Sequence, residues 1–294
     1  MSGSGKPDDM LADVKLRYLP LILLSVLAAQ PRRPAYTLDE QPIADQMRGL
    51  RKLDDATRAG ATKKLALEIR ALAATPNKLN LASSLANLST EGDFGRDTLQ
   101  QVATTLAEAL KEKPAAPAAE PAPPYVTLAQ LVRYEGMKVS LDHPMFAAAM
   151  ESLEKLDEVR AGADFTLADL AGKSWHLRGL KGKVVLVNFW ATWCPPCRKE
   201  MPDLEVLYQQ FRSKGLVVLA VSDEERAKVG PFIAERKYSF PVLLDEGRKV
   251  SEQLRIEGIP KTFLYDRDGK LVAQSIDMRT RAQFLAMLKK AGLE

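Results

Sequence analysis

Residues 184–197 constrain this chain more than any other stretch. Val184-Val185-Leu186-Val187-Asn188-Phe189-Trp190 is a short apolar, β-branched and aromatic run, the pattern of a strand buried on both faces. Trp193-Cys194-Pro195-Pro196-Cys197 comes next and holds the only two cysteines among 294 residues. Arg198 to Phe211 then carries a helical pattern. This order places two thiols on the turn between a strand's C-terminal end and a helix's N-terminal end. A thiolate there faces unpaired backbone N–H groups and the positive end of the helix dipole, which draws its pKa below the free value of about 8.5. Pro195 and Pro196 fit a first helical turn, where their missing N–H groups cost little. Cys194, at the helix end, is the expected exposed nucleophile. Cys197, one turn on, is expected to face inward and resolve a mixed disulfide.

The same residues resemble the thioredoxin fold, and more closely its TlpA/ResA-like branch of extracytoplasmic thiol-disulfide oxidoreductases. The similar text includes Asp164-Phe165-Thr166-Leu167, Leu170-Ala171-Gly172-Lys173 and the run from Leu180 through Cys197 to Arg198-Lys199-Glu200-Met201-Pro202. The resemblance covers roughly residues 162 to 294 and does not reach the first half. It implies an α/β thioredoxin-like C-terminal domain, a central mixed sheet flanked by helices. Gly258-Ile259-Pro260-Lys261-Thr262-Phe263 is similar to the segment whose cis-proline faces the cysteines in that fold, so Pro260 is expected to be cis, although most X-Pro bonds are trans. By the same analogy Ile259 offers backbone groups to an extended substrate segment. Trp193, Pro195 and Pro196 complete the expected substrate-binding surface. Trp190 is expected in the core beside the site, and Pro202 as a kink in the cysteine-bearing helix.

Asn188 departs from thioredoxin itself, which has a buried aspartate at the matching position, and an amide cannot carry a proton between sulfurs. Glu200 lies three residues past Cys197, on the same helix face, and ResA-like proteins have an acid there. It is the expected group that tunes Cys197 and relays its proton. The other reading makes it an exposed helix acid paired with a nearby Arg or Lys.

No cofactor is implied beyond the redox-active disulfide Cys194-Cys197, and no metal. Zinc takes about four ligands, and besides the cysteines the chain offers His143 and His176, far apart in sequence. A CxxCH haem site is excluded by Arg198. The net charge of +4 is spread along the chain without blocks of Lys or Arg, which does not indicate nucleic acid.

The chain divides as follows. Residues 1–30 read as a signal peptide or N-terminal extension. Leu19 to Ala29 is an apolar run of 11 residues behind Lys15 and Arg17 and ends in small residues, too short to span a bilayer by itself. A buried helix is the alternative for this run. No cysteine follows it to carry a lipid. Residues 35–112 read as a small all-α accessory domain, with helices over Gln41 to Ala59, Ala61 to Ala74, Asn77 to Leu88 and Arg96 to Lys111. Lys113 to Pro124, KPAAPAAEPAPP, reads as an extended Pro/Ala linker and a domain boundary. Residues 125–160 form a helical connector with a break at Asp142-His143-Pro144, free to cap the catalytic domain, pack back on the first one or pair with a second copy. Residues 161–294 are the thioredoxin-like domain.

The resemblance implies a periplasmic or otherwise extracytoplasmic thiol-disulfide oxidoreductase. It would reduce disulfide-containing substrate proteins, as in cytochrome c maturation, and be recharged by a membrane thiol donor of the DsbD or CcdA type. Two alternatives stand beside it. One is an isomerase or oxidase dimerised by its helical domain. The other is a partner-binding protein that uses the thioredoxin-like domain only to dock, with the partner of the helical domain unidentified.

Overall fold

In a computed structural model, residues 35–116 and 118–294 are described. The apolar run at 19–29, read as part of a signal peptide, lies outside the described residues. Six helices come first: α1 (Glu40–Gly49), α2 (Asp55–Ala71), α3 (Pro76–Leu88), α4 (Gly95–Glu112), α5 (Pro123–Tyr134) and α6 (Pro144–Ala161). Three of them start on side-chain caps that satisfy otherwise orphaned N–H groups. Asp54 accepts from Thr57 N, Thr75 from Lys78 N and His143 from Met145 N.

Two boundaries differ from the sequence reading. The first helix break falls at residues 50–54 and not at Gly60, because Asp54 caps α2 while Gly60 lies exposed inside it. A glycine there costs about 1 kcal/mol of helix propensity, which the buried face of α2 (Leu65, Ala66, Ile69) overrides. The Pro/Ala stretch does not separate two domains. Leu106 and Leu110 of α4, Leu128 and Leu131 of α5 and Leu153 of α6 lie in one continuous core with Leu65 and Leu85. Of the three placements open to residues 125–160, the structure shows packing against the preceding helices, since apolar faces on both sides of the stretch bury each other.

A short antiparallel hairpin, β1 (Thr166–Ala168) with β2 (Ser174–His176), leads into β3 (Val184–Phe189), α7 (Pro195–Phe211), β4 (Leu216–Ser222), α8 (Arg226–Arg236), β5 (Val242–Leu244), α9 (Lys249–Gln253), β6 (Lys261–Tyr265), β7 (Leu271–Gln274) and α10 (Arg281–Lys290). The five-stranded sheet runs β5-β4-β3-β6-β7, with β3, β4 and β5 parallel and β6 and β7 antiparallel to their neighbours. This is the mixed, helix-flanked sheet expected of the thioredoxin-like domain. All six residues of β3 are buried and alternate between two cores. Val184 and Leu186 pack with the α7 side, while Val185, Val187 and Phe189 pack with the other. Asn188 shares the parity of Val184 and Leu186, so its side chain faces α7.

Residues 36–294 form one compact unit, and polar contacts join the helices to the sheet. Arg160, at the end of α6, is buried. It donates from Nη1 to Gln274 Oε1 at 2.8 Å and from Nε to the Leu254 carbonyl at 3.3 Å, and its own carbonyl accepts from Tyr265 Oη at 2.8 Å. Lys199 on α7 pairs with Asp55 on α2 at 3.3 Å. Among the described residues, no helix is long and apolar enough to cross a membrane.

Candidate active site

The buried strand β3 ends at Phe189, and the chain turns once before α7 begins, which places both cysteines at the first turn of that helix. They are joined as a disulfide. Cys194 is the N-cap of α7, and its sulfur accepts from Cys197 N at 3.2 Å, so the helix terminus does point an N–H at this sulfur. Pro195 and Pro196 occupy the opening positions of α7, and Pro202 lies inside it. The turn is held from outside by Glu224, whose carboxylate accepts from Thr192 N at 2.6 Å and from Thr192 Oγ1 at 2.8 Å.

Cys194 is not the open residue expected from the sequence. It is 2% exposed, and Cys197 is fully buried. Cys194 packs into the α7-side core, and its sulfur lies 3.8 Å from the Ile259 carbonyl oxygen. Trp193, by contrast, is 67% exposed. The Ile259-Pro260 bond is cis, as expected. Trp190 is buried, its ring 5.3 Å from that of Phe232. Trp190, Trp193, Ile256, Gly258 and Ile259 line part of a groove of about 240 Å³ beside the cysteines.

Glu200 is 1% exposed, which removes the reading of a solvated helix acid. One carboxylate oxygen accepts from Asn188 Nδ2 at 2.7 Å and the other from the Arg279 backbone N–H at 2.9 Å. The same Asn188 amide nitrogen donates to Thr262 Oγ1 at 3.0 Å, and the amide oxygen is buried without a partner. Register explains the cluster. Asn188 and Thr262 are direct partners across β3 and β6, and Glu200 sits one turn after Cys197 on the helix that covers that face. Burial pushes the Glu200 carboxyl up to about 8, and the nearby Asp277 adds to the rise. The hydrogen bonds from Arg279 N and Asn188 and the Arg279 charge oppose it.

Sequence reasoning missed Thr262, Asp277, Arg279 and Lys261. Thr262 was accessible through strand register. Asp277 and Arg279 lie in the segment between β7 and α10, where no periodicity marks a position. Lys261 follows the cis-proline, and its ammonium lies 5.8 Å from the Tyr134 ring centroid. Burial, with Arg160 and Arg279 nearby, brings its pKa down to about 7. The two histidines are used locally. His143 caps α6 and stacks on Tyr125, and His176 lies 2.9 Å from Asp164.

Several known proteins are similar to the C-terminal half of this chain. Residues 160–274 match the AhpC/TSA family. The chain is 40% identical over 138 residues to the thiol-disulfide oxidoreductase ResA of Bacillus thuringiensis (strain Al Hakam), covering 47% of this chain and 80% of that protein. It is 37% identical over 134 residues to ResA of Bacillus subtilis (strain 168), covering 45% and 75%. Among solved structures, a thiol:disulfide interchange protein of the thioredoxin family from Chlorobium tepidum TLS is 31% identical, with a TM-score of 0.40, covering 44% of this chain and 92% of that one. Over its C-terminal half, this chain belongs to the ResA-like family of thiol-disulfide oxidoreductases.

Proposed function

We propose that this protein reduces disulfides of partner proteins outside the cytoplasm through the Cys194-Cys197 dithiol, in cytochrome c maturation or a similar assembly. The observation that carries this is the cysteine pair at the first turn of α7, with a buried acid one turn further on. The Cys194 thiolate attacks a partner disulfide, forming a mixed disulfide and releasing one partner thiolate. Cys197 loses its proton and attacks the Cys194 sulfur, which frees the second partner thiol and closes the 194–197 bridge. Two electrons pass to the partner. A membrane thiol donor of the DsbD or CcdA type restores the dithiol, and no other cofactor takes part.

Glu200 is the proton partner of Cys197 in this scheme. With its carboxyl up at about 8, it lies close to the ordinary thiol value of about 8.5. A proton therefore moves between matched groups at little free-energy cost. Thr262 Oγ1 is able to accept from the Asn188 amide or donate to it, so Asn188 has a way to present either edge as Glu200 gains or loses its proton. The groove beside the cysteines, with Trp193 at its rim and Ile259 and Pro260 adjoining, is the proposed seat of the partner segment. Export by the 1–30 segment belongs to the same proposal.

The test is the reduction potential of the cysteine couple, measured by equilibration in glutathione and dithiothreitol buffers. A value near or below about −250 mV is expected for a reductant, and one near −120 mV would overturn the direction of transfer. Insulin-disulfide turnover in Cys194→Ser equal to that of the wild type would overturn the chemistry itself.

A further inference from the structure

The helices of the first half lie outside the AhpC/TSA match, yet they reach the active-site acid through a short chain of contacts. Glu135 follows the last residue of α5, and its carboxylate pairs with the Arg279 guanidinium. Both side chains are largely buried, at 7% and 12% exposed for Arg279 and Glu135. Among the described residues Glu135 is the guanidinium's only hydrogen-bond partner, and Arg279 Nε has none. The backbone N–H of the same Arg279 donates to Glu200. Arg279 is therefore held by the helical segment at one end and holds the active-site acid at the other.

The surrounding segment is fastened in the same way. Ile276 packs on the helical core, Ser275 and Thr262 exchange hydrogen bonds at 2.9 Å, and Arg281 N donates to Asp203 on α7 at 3.1 Å. The charged groups that bear on Glu200 come from several directions. Arg279 and Asp277 sit on this segment, Lys261 on β6 acts on Asp277, and Glu91 of the helical segment raises the Asp277 carboxyl further. β3 contributes the neutral Asn188, and α7 the two cysteines.

We infer that Glu135 and Arg279 are positioning residues: the helical segment tunes the redox pair by holding and neutralising the arginine whose N–H and charge bear on Glu200. The inference rests on the reading of Glu200 as the proton partner of Cys197. An unpaired buried cation next to a carboxyl favours its charged form, and an ion-paired one does so less. Loss of the two partners therefore has opposite signs. Arg279→Gln keeps the backbone N–H but removes the cation, which makes Glu200 harder to ionise. Glu135→Gln keeps an acceptor for the guanidinium but removes the counter-charge, which makes Glu200 easier to ionise.

The experiment is the pH profile of iodoacetamide alkylation of the reduced full-length protein, for both variants and for each combined with Glu200→Gln. A charged Glu200 disfavours a neighbouring thiolate and a neutral one does not, so the midpoint is expected to fall in Arg279→Gln and rise in Glu135→Gln, each by about half a pH unit, with both shifts vanishing when Glu200 is Gln. Shifts of the same sign, no shifts, or shifts that persist without Glu200 would each overturn the inference. If Arg279→Gln does not fold, Glu135→Gln and Arg279→Lys carry the test, the lysine variant being expected to keep the wild-type midpoint. A profile of Glu200→Gln identical to that of the wild type would remove Glu200 from the mechanism and this inference with it. A wild type that differs from Glu200→Gln, beside silent Arg279 and Glu135 variants, would remove the inference alone.

Discussion

Glu200→Gln in the disulfide-bonded protein should reverse its effect on stability between acid and alkaline pH. Burial lifts this carboxyl from 4.5 to about 8 in the folded protein. Between those values the native state keeps a proton that the unfolded chain has released, so wild-type stability falls as pH rises across the window. At about 1.4 kcal/mol per unit the full window is worth at most about 4 to 5 kcal/mol, and relaxation around the buried charge reduces that to about half. The glutamine does not titrate. Its amide meets two donors, Asn188 Nδ2 and Arg279 N, with one acceptor oxygen, which costs about 1 to 2 kcal/mol at every pH. Near pH 4 the variant is therefore the less stable protein, and near pH 9 the gap closes or inverts. Denaturant titrations of both proteins at several pH values read this directly, and keeping the bridge oxidised removes the thiols from the comparison. A stability difference that is flat with pH would refute the reasoning. So would a wild type that gains on the variant as pH rises, because that requires a folded carboxyl pKa below the unfolded one.

Lys261 gives a profile of the opposite sense. Its pKa falls from 10.5 to about 7, so its favourable share of stability is present above 10.5 and is lost as pH falls towards 7. Lys261→Met is expected to stabilise the protein most below about pH 7, with the gain shrinking towards pH 10, and a gain that grows with pH in the same denaturant assay would count against it. Arg160→Ala should cost about 2 to 4 kcal/mol, because it strips the Leu254 carbonyl and Gln274 of their buried donor. A loss below about 0.5 kcal/mol would show that the junction of α6 with the sheet does not depend on this side chain.

The thioredoxin-like half was legible because its signals are local. A run of apolar β-branched residues gave β3, the Cys-Pro-Pro-Cys turn gave the start of α7, and Asp266-Arg267-Asp268-Gly269 gave the turn between β6 and β7. The helical half was read less well for two physical reasons. Asp54 caps α2 without a strong apolar run to mark it, and Gly60 sits in a helix whose packing overrides its propensity. The proline-rich composition of 113–124 says nothing of whether the helices on either side meet.

The exposure of Cys194 was misjudged because the position of a residue on a helix end does not reveal what covers it. Here the covering group, the Ile259 carbonyl, lies 65 residues along the chain. Local patterns of residues suffice to place the cysteine site: two thiols at a strand-to-helix turn, with an acid one turn further on. The environment of that acid comes from the folded chain. Its partners, Asn188 at 12 and Arg279 at 79 residues' separation, and the Glu135 that grips Arg279 from 144 residues away, come together through sheet register and the closing of the helical segment on the sheet. Burial and long-range charge are properties of that assembled environment, and no local pattern of residues encodes them.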